Sequence, residues 1–158
     1  MSIVKTAVRQ GLLEGVRQNG FTVFKGVPYA RPPVGELRFK APQPPEKWDG
    51  VRQANNFSAK SAQTGQPPGS FYDKEFYSNP EFQVPLSEDS LYLNIWTPAS
   101  DIAERLPVAF WIHGGAFLGG FGSELEFDGE AWCRRGVILV TINYRVNAFG
   151  FLAHPWLT

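Results

Sequence analysis

The sequence predicts an α/β fold in which a small antiparallel N-terminal sheet precedes a mainly parallel strand, helix, strand unit, and three observations carry that expectation. Two unbroken apolar runs, "LPVAFWI" and "GVILVTINY", have the length and composition of strands buried on both faces. Between them "FDGEAWCRRG" reads as one short helix, and a strand, helix, strand crossover within one sheet is overwhelmingly parallel. Far upstream, "TAVRQGLLEGV" sets β-compatible residues around Gly11, and "QNGFTVF" puts Asn19-Gly20 where a tight hairpin turn belongs.

The elements in between follow from composition. Residues 27–50 hold six of the thirteen prolines, which cannot supply the backbone donors of a helix interior or a central strand, so an ordered irregular connection is expected, held by Tyr29, Phe39 and Trp48. Residues 58–87 are polar and Gly/Pro-punctuated, yet carry Phe71, Tyr72, Phe76, Tyr77 and Phe82; a packed surface loop fits them better than a linker, whether it lines a pocket or only covers core. "LYLNIW" alternates as a strand. In the helix, Asp128 is placed to cap, Arg134 and Arg135 suit the last turn, and Gly136 suits the end.

Bulk properties exclude several function classes. With 158 residues, 43% of them hydrophobic and 15% aromatic, the chain is globular in composition. Fifteen basic and fifteen acidic side chains cancel without forming blocks, so no footprint for nucleic acid or an anionic membrane is expected. "MSIVKTAVRQG" lacks the apolar stretch of a signal peptide, and no run reaches the ~20 apolar residues of a spanning helix. A soluble, cytoplasmic protein is the expectation. One cysteine, Cys133, allows no internal disulfide or multi-cysteine metal site, and it reads as a small buried residue; no cofactor or metal motif is present.

The candidate site is "WIHGGAFLGGFGSE", Trp111 to Glu124, where an apolar run stops and bare backbone follows. In parallel α/β sheets ligands gather beyond the carboxyl ends of strands, which is where "HGGAF" begins. A phosphate loop would need a lysine after the last glycine, but Gly120 is followed by Phe121, and the dinucleotide pattern fails because Leu125 stands where its third glycine belongs. An oxyanion hole, with backbone N–H groups converging on a developing negative oxygen, and a plain structural turn both remain open at this point.

"FKGVPYARPPVGELRFKAPQPPEKWDGV", "SEDSLYLNIWTP", "PVAFWIHGGAFLGG" and "TINYRVNAFGFL" resemble, in order and spacing, the N-terminal part of the type-B carboxylesterases, the α/β-hydrolase family that includes cholinesterases and bacterial p-nitrobenzyl esterases. The resemblance runs from about Gly20 to Leu152. It implies an α/β-hydrolase sheet, an oxyanion hole with donors at Gly115 and Ala116, Gly114 permitting the turn, and His113 shaping the loop rather than acting as base. It also implies that Arg38 of "ELRFK" pairs with Glu88 of "SEDS". The family's disulfide would fall at Ser61 and Ser90, both serine here, so the aromatic loop is expected to be unclosed, which suits a reducing compartment. Asn147 stands where many relatives have glycine, and asparagine tolerates the left-handed turn next best. No tryptophan lies between Ser61 and Ser90, where cholinesterases carry the one that stacks on choline.

The family's nucleophile sits in G-x-S-x-G at a strand-to-helix elbow, and no serine of this sequence has those flanking glycines. The expectation is therefore an N-terminal fragment, residues 1–158, of a single carboxylesterase domain, with the oxyanion-hole loop but neither nucleophile, acid nor base, and inactive alone. Its ligand would be a small carboxylic ester, and its partner the missing C-terminal part. The rival readings are a non-catalytic esterase-like adhesion relative and a small stand-alone binding domain. Two structural expectations follow: Gly115 and Ala116 N–H groups pointing unpaired into a concavity, and "VAFWI" left as an apolar edge strand.

Overall fold

The computed structural model describes residues 4–77, 79 and 83–157. The N-terminal strands are β1 (Lys5–Val8), β2 (Gly11–Glu14), β3 (Val16–Arg17) and β4 (Thr22–Pro28). β5 (Val51–Gln53) and the two-residue strands β6 (Lys60–Ser61) and β7 (Leu86–Ser87) follow. The last three are β8 (Tyr92–Thr97), β9 (Val108–Ile112) and β10 (Ile138–Ile142). The helices are short: α1 (Phe71–Phe76), α2 (Glu130–Cys133) and α3 (Asn147–Phe151).

The main sheet has the order β3-β4-β8-β10-β9. Only β9 and β10, the pair joined through α2, are parallel; β4, β8 and β10 pair antiparallel, so "mainly parallel" holds for the crossover alone. The N-terminal strands also divide differently from expectation. β1 and β2 pair antiparallel but β5 joins β2 in parallel, while β3 and β4 enter the main sheet. The physical reason is that β4 is apolar on both faces: Val23 packs with Phe21, Trp96, Cys133 and Leu139, and Phe24 and Val27 pack with Leu13 and Ala54 on the other side. A strand with two apolar faces belongs inside a two-sided layer.

Local chemistry fixes the register. Gly20, at φ +88°, takes the left-handed position of the β3–β4 turn, which the Gln18 N–H closes onto the Phe21 carbonyl at 2.9 Å. A bulge interrupts β4 between Phe24 and Val27, where Gly26 at φ +65° turns its N–H onto Asn94 Oδ1 at 3.0 Å. Asn94 Nδ2 donates to Thr141 Oγ1 at 3.1 Å, and that hydroxyl donates to the Gly122 carbonyl at 2.6 Å. Buried polar groups thus run satisfied across the sheet toward the glycine-rich segment.

In α2 the Asp128 carboxylate accepts the Glu130 N–H at 2.9 Å, Arg135 donates to the Ala131 carbonyl at 2.8 Å, and Gly136 ends the helix at φ +73°. The proline-rich connection is held as expected. The Tyr29 hydroxyl donates to the Asn143 carbonyl at 2.5 Å, Trp48 Nε1 to the Leu12 carbonyl at 2.9 Å, and Phe39 stacks on Phe149. The Arg38 guanidinium meets Glu88 in two parallel bonds of 2.5 and 2.7 Å.

The 58–87 segment departs from the expected loop in two ways. Residues 71–76 form α1, because the Ser70 hydroxyl accepts the Asp73 N–H at 3.2 Å and the Asp73 carboxylate accepts the Gly69 N–H at 2.7 Å. The loop is also not open at its base: β6 and β7 pair in parallel, and the Lys60 N–H bonds the Pro85 carbonyl at 2.9 Å. Phe71, Tyr72 and Phe76 cluster on one another; Phe82 lies outside the described residues.

β9 was expected to be buried on both faces and is not. Val108, Phe110 and Ile112, which share one face, are 58%, 56% and 60% exposed. Among the described residues no helix covers that face and no strand pairs with the outer edge, as the edge-strand expectation held.

Candidate functional site

The glycine-rich segment leaves the carboxyl end of β9 at His113, which is 3% exposed. Its ring stacks on Tyr144 with centroids 4.3 Å apart, and the Tyr144 hydroxyl donates to the His113 carbonyl at 2.8 Å. Burial holds the imidazole below its ordinary pKa, so the neutral ring donates from Nδ1 to the Gly114 carbonyl at 2.8 Å while buried Nε2 has no partner among the described residues. The Nε2 lone pair is buried away from solvent, and the Nδ1–H fixes the Gly114 carbonyl, so the ring anchors the start of the turn.

Two carbonyls are pinned inward here. Gly114 O is held by His113, and Gly115 O accepts the N–H groups of Leu118 and Gly119 at 2.9 and 3.3 Å. Ala116 and Phe117, at φ +52° and +65°, are the central residues of this turn, the pattern of a type I′ turn. In a planar trans peptide the N–H points opposite to the C=O. Pinning Gly114 O therefore aims the Gly115 N–H away from His113, and pinning Gly115 O aims the Ala116 N–H out of the turn. Among the described residues, neither N–H donates to a protein acceptor.

The glycines are bare mostly because the segment folds on itself. A Cβ on Gly115, whose φ is +116°, would sit 2.1 Å from the Gly119 carbonyl oxygen; one on Gly120 would sit 2.4 Å from His113 Nδ1. Gly114, expected to permit the turn, has neither a positive φ nor a close neighbour, so the turn belongs to residues 115–118. Gly114 and Gly115 line a cavity of about 820 Å³ whose other walls include Lys60, Tyr72, Tyr77, Glu124 and Asn147. Ala116 is not part of that lining, so of the two expected donors Gly115 borders the cavity and Ala116 does not.

Residues 2–155 match the model of the carboxylesterase family. The chain belongs to the carboxylesterase family. It is 43% identical over 143 residues to the para-nitrobenzyl esterase of Bacillus subtilis, covering 90% of this chain and 27% of that protein. Mouse cholinesterase is 42% identical over 153 residues, covering 96% of this chain and 25% of that protein. A crystal structure of a Geobacillus stearothermophilus carboxylesterase superposes with a TM-score of 0.79 at 47% identity, over 95% of this chain and 28% of that one. The chain thus spans about a quarter of the length of these carboxylesterases, and its fold is part of an α/β-hydrolase sheet.

Asn147 takes the left-handed conformation expected of it, at φ +58°, and donates its N–H to the Phe117 carbonyl at 2.6 Å, which fixes the far end of the turn. Two other wall residues of this carboxylesterase segment, Glu124 and Lys60, escaped the sequence reading. Glu124 accepts the Phe121 N–H at 3.1 Å, and burial pushes its carboxyl up to about 7. Lys60 lies 4.4 Å from the Phe121 ring centroid, its amine held below the ordinary value by burial. Ser61 and Ser90 are buried at 2% and 0% exposure, and the Ser61 hydroxyl accepts the Val146 N–H at 3.2 Å. Cys133 is a buried free cysteine whose thiol burial pushes up to about 11, far from a reactive thiolate.

Proposed function

We propose that this chain is the oxyanion-hole part of a carboxylic ester hydrolase that works through an acyl-serine, with the nucleophile, acid and base supplied from outside these 158 residues. The observation that carries the reading is the pair of consecutive peptides at the end of β9 whose carbonyls are pinned inward and whose N–H groups, Gly115 and Ala116, are left without acceptors among the described residues. Attack on an ester carbonyl places a negative charge on its oxygen, and preorganised donors aimed at that oxygen stabilise the tetrahedral intermediate without reorganising during the reaction. The substrate is a small carboxylic ester. The 158 residues alone do not turn over, because they hold no G-x-S-x-G serine.

The proposal also assigns a reducing, cytoplasmic setting, supported by serine at positions 61 and 90 and by the β6–β7 pairing that ties the loop ends without a disulfide. Subcellular fractionation tests that assignment.

The decisive experiment on the ester reading removes a single N–H. Replacing Ala116 by lactic acid in the full-length source protein turns its amide into an ester and leaves the side chain unchanged. The expected result is a fall in kcat of about 100- to 1000-fold on p-nitrophenyl esters with KM retained. An unchanged kcat would return the segment to a purely structural turn.

A further inference from the structure

We propose that Gln63 is a positioning residue for the oxyanion donors, an inference that rests on the ester-hydrolase reading of the same segment. The Gln63 side-chain amide bonds the Gly120 backbone in both directions: Oε1 accepts the Gly120 N–H at 2.7 Å, and Nε2 donates to the Gly120 carbonyl at 3.0 Å. Nε2 also donates to the Ser61 carbonyl at 3.0 Å, which ties the clamp to β6. A side-chain amide reproduces a peptide's donor and acceptor, so Gln63 acts here as one rung of a strand ladder. Gly119 admits it, since a Cβ there would lie 2.6 Å from Gln63 Oε1.

The clamp reaches the donors through one contact. A Cβ on Gly120 would fall 2.5 Å from the Gly114 carbonyl oxygen and 2.4 Å from His113 Nδ1, so the Gly120 backbone closes off the space behind the peptide joining Gly114 to Gly115. That peptide has two orientations of opposite chemistry. In the one observed, the carbonyl is bonded to His113 and the Gly115 N–H has no acceptor among the described residues. Flipped, it would present a carbonyl lone pair where the N–H now points, replacing attraction for an oxyanion with repulsion. His113 holds the observed orientation from the ring side, and Gln63 holds it by keeping Gly120 in place. Because Gln63 belongs to the segment that closes on β6 and β7, the position of the aromatic loop and the aim of the donors are set by the same side chain.

The test uses the full-length source protein with Gln63→Met, which removes all three bonds, and Gln63→Glu, which keeps the acceptor for the Gly120 N–H and loses the donor to the Gly120 and Ser61 carbonyls. Active sites are titrated, so that kcat refers to folded enzyme only. Gln63→Met is expected to lower kcat about 10- to 100-fold, less than full loss of one donor, with KM nearly constant. The affinity for a trifluoromethyl ketone, which forms a tetrahedral adduct, should fall by the same factor, and Gln63→Glu, whose acceptor-only carboxylate would face the Gly120 and Ser61 carbonyls, should lose at least as much as Gln63→Met. A merely structural glutamine would lower thermal stability and leave kcat per titrated site unchanged, and that result overturns the proposal. Amide hydrogen exchange at Gly120, whose N–H Gln63 holds, supplies a readout independent of turnover: faster exchange in Gln63→Met supports the clamp, and unchanged exchange refutes it. Failure of the Ala116 lactate experiment with faster exchange in Gln63→Met would discard the ester reading and keep the clamp.

Discussion

The two sides of the main sheet are built from similar residues and buried very differently. Thr22 and Val23 of β4 are 0% exposed and Trp96 of β8 is 2%, whereas Val108, Phe110 and Ile112 of β9 are all more than half exposed. β4 and β8 each have a strand on both sides and apolar clusters on both faces. Among the described residues β9 has a neighbour strand on one side, and its Ala109 and Trp111 face carries its packing, with Ala109 against the first core cluster and Trp111 5.0 Å from the Phe127 ring. An apolar run therefore specifies a strand, while burial depends on what covers it.

Truncation should sharpen this contrast. In folded protein, Trp96→Ala is expected to cost about 3–5 kcal/mol, as large-to-small changes in a packed core do, read from chemical denaturation. Phe110→Ala in the 158-residue chain should cost about 1 kcal/mol or less, because its side chain is more than half exposed. Equal losses at the two positions would break the comparison.

Association is the next effect in size. An apolar edge strand without charge or proline invites pairing with another chain, so the 158-residue chain should sediment above its monomer mass at micromolar concentration. Phe110→Lys should reduce that association by placing a charge on the bare face. A wild-type chain that is a stable, cooperatively unfolding monomer would contradict the reading of β9.

A smaller effect concerns Glu124, on the cavity side of the sheet. Its folded carboxyl is raised from an ordinary value of 4.5 to about 7, first by burial, with Glu126 adding to the rise and the Phe121 N–H and Tyr77 hydroxyl opposing it; Lys60 faces the same space. A raised folded pKa means the folded state holds its proton longer. The stabilising contribution is complete below pH 4.5 and is lost as pH rises toward 7. Thermal melts across that window should show Glu124→Gln flattening the decline; a parallel decline in both proteins would show that Glu124 is not its source. The smallest change is expected from Arg38→Lys, which loses the two-bond geometry with Glu88 at an exposed site and should shift the melting temperature only slightly.

What was legible in the sequence was whatever depends on local pattern. Alternation gave β8, the two apolar runs gave β9 and β10, Asn19-Gly20 gave the β3–β4 turn, and Asp128 with Gly136 bracketed α2. α1 also has a local signal, Ser70 to Asp73 in capping-box spacing, which the surrounding prolines and glycines masked. β6 and β7 are too short to show periodicity, and the sharing of β4 between two apolar clusters depends on packing across the sheet. At the site, "HGGAF" marked the turn, but which carbonyls are pinned depends on His113 burial and on partners as distant as Gln63 and Asn147. A single glutamine 57 residues from its partner carries no signature in one sequence.

The most direct test of the account is a crystal structure of the full-length source protein inactivated by a phosphonate ester, which leaves a tetrahedral phosphorus on the nucleophilic serine. The predicted result is a phosphonyl oxygen about 2.7–3.1 Å from both the Gly115 and Ala116 nitrogens, with the Gly114 carbonyl still on His113. A phosphonyl oxygen held by other groups, with either N–H bonded to a carbonyl of the protein, would contradict it.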